Sequence, residues 1–134
     1  MCGRYMFSTG PQQRTERFVV SVVPPDLPTR YNVAPQMYMP VIVANSPNRL
    51  DFMRWGLVPS WAKDERAGYR MINARAETVA ERPAYRAPLR YHRCLVPANG
   101  FYEWRTPPHG KQPYFIHLPD ESLFAFRGAV RRVA

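Results

Sequence analysis

Residues 93–104, RCLVPANGFYEW, carry the reading of the fold class. The run RCLVPA has the length and apolar character of a strand. Asn99-Gly100 supplies the left-handed conformations that a tight turn needs, and FYEW resumes as a second strand. Reading outward, strand signals recur on both sides: YMPVIVA at 38–44, with Pro40 favouring an edge, then LDFMRWGLVP beyond the NSPN turn at 45–48. PPHGKQ marks a further turn, and PYFIHL and LFAF flank the turn PDES. Helical signals are fewer. Pro11 suits the first turn of a helix whose apolar face is Phe18, Val19 and Val22, and Pro24-Pro25 ends it. Residues 74–85 predict one or two helical turns interrupted at Pro83, and WAKDERAGYR reads as a polar loop. No repeat, low-complexity tract or linker divides the chain. These elements predict one β-rich α+β domain over residues 1–134.

The composition narrows the class. Apolar residues at 46% and aromatics at 13% argue against a disordered chain. No apolar run approaches the ~20 residues of a membrane span, and MCGRYMFSTG lacks the apolar run and cleavage site of a signal peptide. The net charge is +9, and only Lys63 and Lys111 among the 19 basic residues are lysines. Arginine makes planar, bidentate phosphate contacts, so this excess points to nucleic acid; a general preference for arginine explains the charge equally well. The 15 prolines imply many irregular connections. Two cysteines, Cys2 and Cys94, are too few for a disulfide scaffold and fit a reducing compartment.

Cys2 is the most informative position. Loss of Met1 would leave an amine and a thiol on adjacent carbons. The amine, with a pKa of roughly 7.7–8.0, is partly neutral near pH 7. The thiol titrates near ~8.5 unless a cation such as Arg4 lowers it. Such an aminothiol condenses with an aldehyde to an imine and closes through sulfur to a thiazolidine; it can also attack an acyl group. The ordinary alternative is an unremarked second residue. Asn73 and Arg75, in MINARAET, could position a carbonyl and a phosphate, or simply end a strand. Glu103 lies between aromatics on an expected half-buried strand, a candidate general acid or base, with a surface ion pair as the alternative. Trp55, Trp61, Phe101, Tyr102 and Trp104 fall among arginines, as stacking platforms for unpaired bases do, although at least half should be core. Cys94 suits a buried strand. His92, His109 and His117 lack metal-ligand spacing with either cysteine, and no phosphate loop or serine elbow is present. No metal and no cofactor is expected.

Six ordered blocks, MCGRY, RYNVAP (30–35), RWGLVPSWAKD (54–64), INARAET (72–78), RCLVPANGFYEW (93–104) and KQPYFI (111–116), resemble the SOS response-associated peptidase (SRAP) family of abasic-site processing proteins. The resemblance runs from residue 2 to about residue 126. It implies a mostly antiparallel, barrel-like sheet with few short helices. It also implies binding to single-stranded DNA that carries an abasic site, with a covalent thiazolidine crosslink between the cysteine and the ring-opened sugar. On that pattern Cys2 is the nucleophile, Asn73 positions it and Glu103 is the acid/base group. Arg4 and Arg75 match phosphate-binding arginines, and Asn32 and Pro35 line the DNA path; Trp61, one of the candidate stacking platforms above, is expected to bind DNA beside them. Lyase and autopeptidase activities, a role in the SOS response and a cytoplasmic, nucleoid-associated location are implied with them. No membrane association and no particular protein partner is implied.

The resemblance also implies a longer domain, continuing past LFAF into a His-x-Arg-x-Pro-type motif that supplies an assisting histidine. The chain is therefore expected to be the N-terminal part of such a domain, with an open sheet edge that Arg131 and Arg132 screen by charge. The alternative function is a catalytically impaired remnant that binds nucleic acid weakly.

Overall fold

The computed structural model describes residues 2–8, 10, 16–44, 48–106 and 108–131. Within them, β1 (Tyr5–Phe7), β2 (Arg30–Val33), β6 (Gly100–Arg105) and β7 (Gln112–His117) form one sheet in the order β2-β1-β6-β7. β3 (Tyr38–Val43), β4 (Arg49–Arg54), β5 (Arg93–Ala98) and β8 (Phe124–Ala129) form a second in the order β4-β3-β5-β8. Every pairing between these strands is antiparallel. The sheets do not close into a barrel: among the described residues each keeps two edge strands, β2 and β7 in one, β4 and β8 in the other.

The two sheets pack face to face because their facing residues are large and apolar. Tyr5, Phe7 and Val33 from the first sheet meet Met39 and Ala98 from the second, with Trp55, Phe101, Phe124 and Phe126 packed around them. Tyr5, Trp55, Phe101, Phe124 and Phe126 make edge-to-face ring contacts, the geometry that aromatic quadrupoles favour. Trp55 and Phe101 are thus core, while Trp61 and Trp104 are exposed. The outer face of the second sheet is covered at Ile42 and Leu50 by Val20, Phe18, Val23 and Leu27. Cys94 is buried with Val41 and Val43, as expected.

Several local expectations change. Asn99-Gly100 is not a hairpin turn: neither takes a positive φ, and β5 pairs with β3 and β8 while β6 pairs with β1 and β7. The chain bends there from one sheet into the other. Gly100 is required by close approach, since a Cβ would lie 2.3 Å from the Phe115 ring and 2.7 Å from the Ile116 carbonyl oxygen. Pro40 is buried in a strand with neighbours on both sides, not at an edge. It is tolerated because β5 pairs with β3 only at Ile42 and Val43, so no ladder donor is needed at Pro40 on that side. Pro83 starts a helix rather than interrupting one. It occupies the first turn of α1 (Pro83–Tyr91), where a missing N–H costs nothing.

The stretch read as a polar loop contains a 3-10 helix, Glu65–Arg70, whose start is capped by the Asp64 carboxylate accepting the Arg66 N–H at 2.8 Å. Of the expected N-terminal helix, residues 16–18 are helical; Pro11 lies outside the described residues. Arg131 donates to the Val58 carbonyl at 3.0 Å instead of standing along the β8 edge, and Arg132 lies outside the described residues.

Candidate active site and nucleic-acid interface

β1 delivers the N-terminus to the site. Tyr5 lies opposite Val33 of β2 and opposite Phe101 of β6, so the segment Cys2–Arg4 emerges between the ends of two strands. Pairing with β6 continues one residue beyond β1, where the Tyr102 N–H donates to the Arg4 carbonyl at 3.0 Å. Glu103 follows on β6, and its carboxylate acts electrostatically on the Cys2 thiol.

Cys2 is half-buried with a free thiol. Burial pushes that thiol above its ordinary pKa, and the negative charge of Glu103 pushes it further in the same direction. The lowering expected from Arg4 does not occur. The Arg4 guanidinium instead donates to Asn32 Oδ1 at 3.1 Å, on the neighbouring strand β2. Burial, and then the charge of Cys2, likewise raises the Tyr5 phenol.

Asn73 is the third member of the group. Its Nδ2 donates to the Cys2 carbonyl at 2.7 Å, joining residues far apart in sequence. Residues 71–75 have no regular structure, and the segment is held by donors from elsewhere. The Leu57 N–H donates to the Met71 carbonyl at 3.0 Å, Trp55 Nε1 to Ile72 at 2.7 Å, and the Tyr85 hydroxyl to Asn73 at 3.2 Å. The loop's course depends on Gly56, whose φ of +129° is open to glycine and whose backbone crosses that of Gly68 closely.

The structure therefore brings Cys2, Asn73 and Glu103 together, and Arg4 with Asn32. Arg75 is exposed two residues past Asn73, and Pro35 is half-buried in the turn after β2. Among the described residues, no carboxylate pairs with Arg4 or Arg75, whereas Arg49, Arg54 and Arg66 pair with Asp51, Glu65 and Asp64. Trp61 is 62% exposed between β4 and the 3-10 helix, and no hydrogen bond or ring contact ties it to Cys2. Sequence reasoning missed Tyr85 as a partner of Asn73 and Trp55 as a support of its loop. The only available signal was that a buried phenol or indole needs an acceptor. Among the described residues no group of three or more His, Cys, Asp or Glu could hold a metal ion.

A half-buried thiol near the N-terminus, a carboxylate acting on it and an amide bonded to its backbone carbonyl thus lie together at the end of β1. The whole chain, residues 1–134, matches the family SOS response associated peptidase (SRAP), and the chain belongs to that family. The abasic site processing protein YoqW of Bacillus subtilis is 47% identical over 132 residues, covering 96% of this chain and 59% of its own length. The abasic site processing protein HMCES of Gallus gallus is 42% identical over 102 residues, 66% of this chain and 30% of its own length. A crystal structure of a protein from Bacteroides thetaiotaomicron superposes with a TM-score of 0.81 at 29% identity, covering 96% of this chain and 59% of that one. The chain thus spans about three-fifths of the length of its bacterial relatives. No helix among the described residues is long and apolar enough to cross a membrane.

Proposed function

We propose that this domain processes abasic sites in single-stranded DNA by forming a covalent thiazolidine crosslink through Cys2. The observation that carries this reading is the hydrogen bond from Asn73 Nδ2 to the Cys2 carbonyl at 2.7 Å, which fixes the backbone of the reacting residue beside the Glu103 charge.

Removal of Met1 frees the α-amine of Cys2. The neutral amine adds to the C1 aldehyde of the ring-opened sugar, giving a carbinolamine. The Glu103 carboxylate takes up a proton from solvent and delivers it to that hydroxyl, which expels water and leaves an iminium. The thiol then adds through sulfur to the same carbon and passes its proton to the Glu103 carboxylate, closing the five-membered ring. The net change is loss of one water. A thiol held mostly protonated suits this order, because it leaves the amine to react first. Ring closure competes with β-elimination from the iminium, so the same intermediate accounts for a lyase side reaction.

An aldehyde exists only where a base has been lost, so selectivity resides in the electrophile. Arg4, Arg75, Asn32, Pro35 and Trp61 need only hold a strand by its phosphates and one unpaired base, independently of sequence. This chemistry belongs in the cytoplasm, at the nucleoid. In the test, the protein is incubated with single-stranded DNA containing one abasic site and run under denaturing conditions. A heat-stable shifted band is expected from the wild type and none from Cys2→Ala; an equal band from Cys2→Ala would remove Cys2 from the reaction.

A further inference from the structure

Three consecutive carbonyls, those of Met71, Ile72 and Asn73, each accept a hydrogen bond from outside their own segment. Two of the donors, the Leu57 N–H and the Trp55 indole, come from the chain just after β4. The third, the Tyr85 hydroxyl, comes from α1 and binds the peptide of the residue that holds Cys2. α1 is seated on β5 and β8 of the second sheet, whereas Cys2 leads into β1 of the first. The chain Tyr85–Asn73–Cys2 therefore references the reacting residue to both sheets.

Packing alone does not explain this tyrosine. Its side chain is buried, at 8% exposure, where phenylalanine would fill the same space. A buried hydroxyl is unfavourable unless bonded, and this one is bonded to the Asn73 carbonyl. Burial also raises the phenol's pKa, which keeps the O–H a donor across the neutral range. Tyr85 is set in turn by its place in the first turn of α1, where its N–H donates to the Arg82 carbonyl at 3.0 Å.

We propose that Tyr85 is a positioning residue for Cys2, its hydroxyl holding the Asn73 peptide so that the Asn73 amide stays on the Cys2 carbonyl. This rests on the crosslinking reading above and extends it to a residue that touches neither DNA nor the reacting atoms. A small misplacement of a reacting group is felt in the rate of the covalent step, not in the affinity for the strand.

The test is a double-mutant cycle on the full chain with abasic single-stranded DNA at saturation, comparing wild type, Tyr85→Phe, Asn73→Ala and the double variant. Tyr85→Phe should slow the first-order crosslinking step about five-fold, the size of one net hydrogen bond. Binding to intact single-stranded DNA should not change, and the double variant should be no slower than Asn73→Ala. An undiminished Tyr85→Phe effect in the Asn73→Ala background would assign Tyr85 a general structural role and overturn the proposal, as would no effect at all. A wild type that forms no crosslink would refute the crosslinking reading instead. Tyr85 is then judged by solvent exchange of the Asn73 side-chain amide protons, measured by NMR. Tyr85→Phe should speed that exchange about five-fold, and an unchanged rate would overturn the positioning role.

Discussion

Gly56→Ala should destabilise the domain by about 2–6 kcal/mol, summing the strain of a disfavoured φ and the overpacking of a filled site, each about 1–3 kcal/mol. Both parts come from the local geometry. Gly56 has a φ of +129°, and a Cβ there would lie 2.5 Å from the Gly68 carbonyl oxygen and 3.1 Å from its carbon. Neither atom is the free end of a side chain. The Gly68 oxygen accepts the Met71 N–H at 3.2 Å, so displacing it pushes on the segment that ends at Asn73. Two other glycines separate the parts. Gly110 has a φ of +113° with nothing within 4 Å of a Cβ, so Gly110→Ala should show strain alone. Gly68→Ala would place a Cβ 3.0 Å from the Gly56 oxygen and 3.3 Å from Val58 Cγ2 without a positive φ, so it should show contact alone. Urea unfolding followed by circular dichroism measures all three, with a common m-value as the check that the transitions are comparable. A Gly56→Ala variant no less stable than Gly110→Ala would refute the close crossing of these two loops.

Further outcomes concern Cys2 and the DNA path. Alkylation of Cys2 by iodoacetamide should rise with pH through a midpoint above the usual ~8.5, because burial and Glu103 both disfavour the thiolate. Glu103→Gln should move that midpoint down and speed alkylation at pH 8; an unmoved midpoint would show that the carboxylate does not act on the thiol. Cys94, buried and pushed up to about 11, should react only as a slow background. Both thiols hold their protons more tightly folded than unfolded. Their contribution to stability is therefore full below ~8.5 and should be lost as pH rises towards the folded values, measurable as a falling urea midpoint. Arg75→Ala should weaken binding to intact single-stranded DNA and reduce the slope of log K against log salt by about 0.7, the share of one phosphate contact. An unchanged slope would remove Arg75 from the phosphate track.

Local patterns made the strands legible. Residues 38–43 and 100–105 carry the apolar and aromatic runs that strands need, and both are strands. Partner choice was not legible. Asn99-Gly100 has the chemistry of a hairpin turn, yet the adjoining strands pair with β8 and β7, and the glycine serves the approach of Phe115. Pro40 could be placed in an interior strand only once the short overlap with β5 was known. Cys2, Asn73 and Glu103 were visible as separate residue types whose chemistry fits together, and the fold supplies their proximity. Tyr85 left no trace, because a side chain bonded to a loop carbonyl produces no periodicity and no motif.

The intact mass of the protein after reaction with single-stranded DNA bearing one abasic site shows whether Cys2, freed of Met1, forms the crosslink. One adduct is expected, equal to the protein without Met1 plus the DNA strand less one water, and none from Cys2→Ala. An adduct that retains Met1, or that forms equally with Cys2→Ala, would contradict it.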